Sequence, residues 1–182
     1  MRLKNFFGHL RTINRHRFCV AVHCFRCGIG FQGLRHDLSK YSPTEFIAGV
    51  KYYEGYRSPN ELEREENGYS AAWMHHKGRN RHHFEYWTDI NLATRHYEPV
   101  DMPTKYFVEM VMDRIAACKV YKGKDYQDGD ALQYLNRSKG DKNNMHPETR
   151  RKLETVLGIL AEQGEAEMFR FVRQTVLQGK PF

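Results

Sequence analysis

Along residues 4–27 the apolar positions Phe6, Leu10, Ile13, Val20, Cys24 and Cys27 recur at threes and fours. That spacing predicts one long amphipathic helix. Gly28, Gly30 and Gly33 end it, and a short segment, Leu34–Tyr41, follows. Ser42-Pro43-Thr44-Glu45 combines an N-cap, a first-turn proline and a capping glutamate, so a helix is expected from there to about Tyr53. Residues 54–68, rich in Gly, Pro, Asn and Glu, read as a polar loop. Helix is expected again over Ser70–His76, breaking near Gly78 and resuming around His82–Ala93. Pro103–Lys122 gives a strong helix closed by Gly123, followed by Asp130–Arg137, Pro147–Gln163 and Glu165–Gln178. Strand-like alternation is absent. The pattern predicts an all-α, single-domain bundle of seven or eight helices.

Composition narrows the class. The chain has 182 residues, 40% of them apolar and 13% aromatic, which suits one domain with a real core and excludes a disordered chain. No apolar run approaches the roughly 20 residues a membrane span needs, so no membrane partner is expected. The basic start lacks an apolar signal-peptide core, and a cytoplasmic location is expected. Cys24-x-x-Cys27 has no second pair at zinc-finger spacing, so Cys19, Cys24, Cys27 and Cys118 read as ordinary reduced thiols. The net charge of +7 is unevenly placed. Residues 1–41 hold eight Lys/Arg against one acid, Asp37, which leaves 21 of each sign elsewhere. Such an excess implies an anionic partner, either a small phosphorylated molecule or a nucleic acid held by the N-terminal helix. A merely solvated basic helix is the plain alternative.

The candidate chemistry centres on histidine. WMHHKGRNRHHFEYW, residues 73–87, holds four histidines within nine positions. His36-Asp37, in LRHDLSKYS, sets a borderline ligand beside a hard one, a mix that suits Fe, Mn, Zn, Co or Ni. Lys40 stands within reach of a metal-bound phosphate. Asp113 falls on the inward stripe Met110, Asp113, Ala117, Val120, where a carboxylate is costly unless it is paired with an arginine or bound to metal. His9, His16 and His23, seven residues apart, share one side of the first helix but lie about 10 Å from one another, too far to share one ion. His23, nearest the glycine break, is the expected ligand, with His9 and His16 at the surface or facing phosphate. Helical neighbours diverge by about 100°, so one member of each pair, His75/His76 and His82/His83, is expected to bind. Phe84, Tyr86 and Trp87 read either as core or as a shelf for a nucleotide base.

Taken in order, His23, His36-Asp37, His75/His76, His82/His83 and Asp113 resemble the HD-domain superfamily of metal-dependent phosphohydrolases. HDLSK resembles its His-Asp-x-x-Lys segment and MDRIAA its late Asp-bearing helix, over roughly residues 16–120, with residues 125–180 as a C-terminal helical extension. The resemblance implies an HD-like helical fold and one or two divalent ions held by His23, His36, Asp37, His75, His83 and Asp113. It implies Lys40, His76 and His82 in catalysis and Arg79 and Arg81 on the phosphate of a small ester, nucleotides being one class of substrate it admits. Dinuclear members carry a Glu four residues before the first His, where Cys19 stands here, and the GYP segment of cyclic-dinucleotide phosphodiesterases is missing. HDLSKYSPTEF with AWMHHKGRNRHHFEYW is more closely similar to an uncharacterised bacterial family of small helical proteins, some with an automated catalase label. No single Tyr or His stands out here as a haem ligand. A metal- or nucleotide-binding module without turnover and a basic nucleic-acid-binding protein are the other readings.

Overall fold

A computed structural model describes residues 3–138 and 144–182. Helix α1 spans Leu3–Cys27, and its buried residues, His9, Ile13, His16, Val20, His23, Cys24 and Cys27, follow the predicted spacing. Gly28, at φ 91°, ends it. Gly30 and Gly33 do not prolong the break; they lie inside a short helix α2, Gly30–Arg35. They are there for closeness: a Cβ on Gly33 would stand 2.4 Å from Cys24 Cβ, and one on Gly30 would stand 2.3 Å from the Phe25 ring. Helix α2 therefore runs back along α1, and Arg17 Nε donates to the His36 carbonyl at 2.7 Å.

A 3-10 turn, Leu38–Tyr41, leads into α3, Pro43–Lys51. Ser42 caps α3 as expected, accepting from the Glu45 N–H at 3.4 Å. The expected loop over 54–68 instead contains α4, Pro59–Asn67. Its signal was local: Pro59 opens the helix and Gly68, at φ 80°, closes it. Helix α5 covers Ala71–Lys77, capped by Ser70.

The helix expected over His82–Ala93 is absent. A 3-10 turn, Phe84–Tyr86, is followed by an antiparallel pair, β1 Thr88–Ile90 and β2 Tyr97–Pro99, with Thr88 opposite Pro99 and Ile90 opposite Tyr97. Asn91 decides this. Its Oδ1 accepts the Ala93 N–H at 2.9 Å, and its Nδ2 donates to Glu98 at 2.7 Å, side-chain bonds that compete with a helical ladder.

Helix α6, Thr104–Lys122, and α7, Asp130–Arg137, fall where the pattern put them. The last helix, α8 (Pro147–Phe171), runs into a π-helical turn, Val172–Val176. Gly164, at φ 80° and ψ 176°, interrupts α8 at the residue that separates the two predicted helices. The chain is 71% helical, with eight α-helices among the described residues. The all-α class stands, the small hairpin being its exception.

The apolar core joins Val20, Cys24 and Cys27 of α1 to Val108, Val111, Met112 and Ile115 of α6 and to Leu153, Val156, Leu157 and Leu160 of α8. All four cysteines are free thiols, and burial pushes Cys27 up to about 12. His23 stands beside this core: Lys119 Nζ donates to its Nε2 at 3.3 Å, and Glu165 ties Lys119 to Arg26. At the other end of α1, His9 packs under α3, where a Cβ on Gly49 would overlap its ring.

Burial, aided by Lys40 at His9 and Lys119 at His23, lowers both imidazoles from 6.5 to about 4. Each stays neutral in the fold but takes a proton in the unfolded chain below pH 6.5. Stability is therefore expected to be intact above pH 6.5 and to fall as pH drops towards 4, by on the order of 3 kcal/mol per group. Thermal midpoints measured across this range check the slope, which His23→Gln should reduce.

Candidate metal centre

The reversal at Gly28 carries the chain back along α1, so His36 arrives beside His16 rather than His23. His36, at φ −52° and ψ 133°, and Asp37, at φ 53° and ψ 27°, have dihedrals close to those of the central pair of a type II turn. Asp37 is thus a non-glycine residue in the left-handed region. Both side chains are buried, and both reach the same point. His16 Nε2 lies 2.9 Å from Asp113 Oδ1, 3.3 Å from His36 Nε2 and 3.7 Å from Asp37 Oδ2. His36 Nε2 lies 3.3 Å from Asp37 Oδ2 and 3.5 Å from Asp113 Oδ1. These four residues form one group whose candidate ligand atoms lie within 4.8 Å of one another.

A second group shares Asp37. Its Oδ1 stands 3.2 Å from His76 Nε2 and 3.3 Å from His82 Nε2, and His83 completes the set. Asp37 therefore presents one oxygen to each group. The pair His82-His83 acts together because it lies in a turn, not on a helix, so its side chains are not forced apart. Asn80 pins that turn, donating to Ser39 Oγ and to the His76 carbonyl, each at 2.8 Å.

Two further carboxylates aim the rings. His36 Nδ1 donates to Glu109 Oε1 at 2.9 Å, and His82 Nδ1 lies 3.2 Å from the same oxygen. His75 and His76 donate from Nδ1 to the two oxygens of Glu45 at 2.6 and 2.7 Å. With Nδ1 so engaged, the Nε2 atoms of His36, His76 and His82 face Asp37, the arrangement found where imidazoles serve as metal ligands.

The electrostatics follow from crowding. Burial would raise Asp37 and Asp113, yet imidazoles hold both well below the usual carboxylate range, His36 with Lys40 at Asp37 and His16 with His36 at Asp113. Burial likewise opposes the fall of Glu109, which His36 and His82 bring to about 2. Desolvation opposes charge on His36, but Asp37, Asp113 and Glu109 outweigh it and raise its pKa. His83 is driven the other way, by burial and by His82 and His76. Asp37 Oδ1, His82 Nε2 and His83 Nε2 are all buried without a hydrogen-bond partner. Orphaned acceptors pointed at one place fit a cation, which needs lone pairs from oxygen and imidazole nitrogen and no donor.

Several expected residues fall elsewhere. His23 does not join the cluster; it sits with Lys119 and Glu165, and His16 takes its place. His75 does not reach Asp37: it lies on the outer side of α5 and braces Glu45, while His76, on the buried face with Ala72, reaches Asp37. His76 and His82, expected as catalytic groups, stand as candidate ligands. Lys40, expected within reach of a phosphate, has its Nζ 3.2 Å from Asp37 Oδ2. Arg79 is exposed and donates to the His75 carbonyl, and Arg81 donates to Tyr106 and stacks near Tyr86. Neither lines the adjoining cavity of about 590 Å³, whose walls include Lys40, Asp37, Asp113, Arg64, Arg114 and Lys122. Of the three shelf aromatics, Phe84 lines it, whereas Trp87 packs on Tyr86 and Tyr106. Glu109 and Glu45 were missed; Glu109 was recoverable as the residue one turn before Asp113 on the same helix face.

An all-α domain carrying a buried cluster of imidazoles and carboxylates beside a cavity is the class that fold and site define. Residues 5–159 match the family of unknown function DUF5662, and the chain belongs to that family. No curated protein and no solved structure matches it.

The two candidate registers of α1 separate cleanly. Metal content, measured on protein equilibrated with Mn, Fe, Co or Zn and then desalted, is expected to drop in His16→Ala, Asp37→Ala and Asp113→Ala. His23→Ala and His75→Ala should keep it. Glu109→Gln should weaken retention roughly 10- to 100-fold.

Proposed function

We propose that this protein is a metal-dependent phosphohydrolase acting on a phosphate ester of nucleotide size, with an HD-like arrangement of ligands. The observation that carries the reading is the convergence of His16, His36, Asp37, His76, His82, His83 and Asp113, spread over most of the chain, on the two oxygens of Asp37. With His16 in place of His23, the order of the resemblance is kept: a His, the His-Asp pair, the two His-His pairs and a late Asp. The donor set fits one or two divalent ions. A bound cation would supply Lewis-acid charge, lowering the pKa of a coordinated water and polarising a phosphoryl oxygen.

The chain's own residues account for the rest. Glu45 and Glu109 fix the tautomer and direction of the rings they hold. Lys40 stays protonated: Asp37 outweighs the opposing effect of burial, and its ammonium lines the cavity next to Asp37 and Asp113. It is placed to balance phosphate charge and the charge that develops on the leaving oxygen. The cavity volume falls within the range of small-molecule sites. Trp73, Phe84, Tyr53 and Tyr121 on its wall offer ring faces to the remainder of the ester. Unpaired thiols suit a cytoplasmic site of action. Among the described residues no helix is long and apolar enough to cross a membrane.

Untagged protein loaded with Mn, Fe, Co or Zn should hydrolyse at least one member of a panel of phosphomonoesters, phosphodiesters and nucleotides. Asp37→Ala and Asp113→Ala should abolish turnover, and Lys40→Met should lower kcat by about 10²-fold or more. Metal held at stoichiometry with no turnover across the panel would reduce the protein to a binding module. Activity that survives both aspartate changes would place the chemistry elsewhere.

A further inference from the structure

The outer face of α1 is as unusual as its inner one. Phe7, Phe18 and Phe25 are spaced by eleven and seven residues, three and two near-whole turns, so they share one stripe directly opposite the buried histidines. Beside them, Phe31 and Leu34 of α2 and Leu38 of the next turn also face outward. Phe18, Phe25, Phe31 and Leu34 are 72%, 60%, 74% and 52% exposed. The elements that carry them are in contact: the Phe25 ring meets Gly30, and Arg17 Nη2 donates to the Leu34 carbonyl at 2.9 Å. Large apolar side chains grouped in this way mark an interaction surface.

Charge says what covers it. Lys4, Arg11 and Arg15 flank the phenylalanine stripe on α1, and Arg35 lies on α2. None of the four has an ion-pair partner among the described residues. The one acid of residues 1–41, Asp37, is buried in the metal centre and offers this face no negative charge. A second copy of the chain docked by the same face would set cation against cation. A nucleic acid would match the arginines but leave Leu34, Leu38 and the phenylalanines in water. An anionic bilayer surface meets both needs, phosphates for the cations and an acyl boundary for the rings.

We propose that the outer face of α1 and α2 docks on an anionic lipid surface. The helix, about 37 Å long, would lie flat on the bilayer without crossing it, leaving its histidine face inward on the protein. Among the described residues no helix is long and apolar enough to cross a membrane, and a surface contact needs none.

The test is co-sedimentation of the untagged full-length protein with vesicles of phosphatidylcholine alone or mixed with phosphatidylglycerol. Binding is expected to the mixed vesicles and to weaken with added salt. Phe18→Glu with Phe25→Glu, and separately Arg11→Glu with Arg15→Glu, should each lower partitioning roughly tenfold or more. Circular dichroism melts and metal content should stay at the parent values in both. No sedimentation with the mixed vesicles at low salt overturns the proposal. So does a lipid-free dimer that the phenylalanine changes dissociate, or binding to an oligonucleotide that the arginine changes alone abolish while vesicles are ignored.

Discussion

Three carboxylates, Asp37, Glu109 and Asp113, crowd together around His36, and that is the constraint the molecule is built around. An isolated buried charge is expensive, and three together repel one another. The fold meets the cost by surrounding them with imidazoles from four separate regions: α1, the turn after α2, α5 and the turn that follows it. Apart from the adjacent pair His36-Asp37, each such contact links segments far apart in sequence. His36 to Glu109 spans 73 residues and His16 to Asp113 closes α1 on α6. The cluster is consequently also a tertiary staple, and the candidate ligands and the packing between helices are the same side chains. Where imidazoles replace a cation as the counter-charge they must be protonated, so ion binding and proton release are coupled.

Much of this was legible in the residue order. The helices α1, α3, α6, α7 and the split α8 follow from periodicity and caps, because those signals are local. His36, Asp37 and Asp113 were identifiable because a charge on an apolar stripe, or a His-Asp pair beside leucines, demands a partner. What failed was long-range. Three histidines on one side of α1 offer the same local pattern, and only the path of the chain after Gly28 decides which of them meets His36. That path depends on α2 packing against α1 at glycine-to-cysteine distance, which no periodicity reports. The segment 82–93 failed for a different reason: its six apolar or aromatic residues are compatible with a helix, while Asn91 and its hydrogen bonds commit the chain to a hairpin. Arg79 and Arg81 went astray with it, since their direction follows from that turn.

The helix α1 is two-faced in an uncommon way. One face supplies a candidate ligand and part of the core; the other is apolar and cationic, with Phe7, Phe18 and Phe25 exposed among the described residues. Whatever sits on the outer face is separated from the candidate metal centre by the diameter of one helix, about 10 Å.

The backbone at Asp37 has one more implication. In a helix or a strand, adjacent side chains diverge, so a His-Asp pair would ordinarily address two different places. The left-handed dihedrals of Asp37 fold the peptide so that both point the same way, at a conformational cost on the order of 1 kcal/mol. Two successive residues thereby form a candidate chelating pair. Asparagine tolerates that geometry and has the aspartate's outline, so an Asn at this position would preserve the shape of the claw while removing its charge, isolating the electrostatic share of its grip from the steric one.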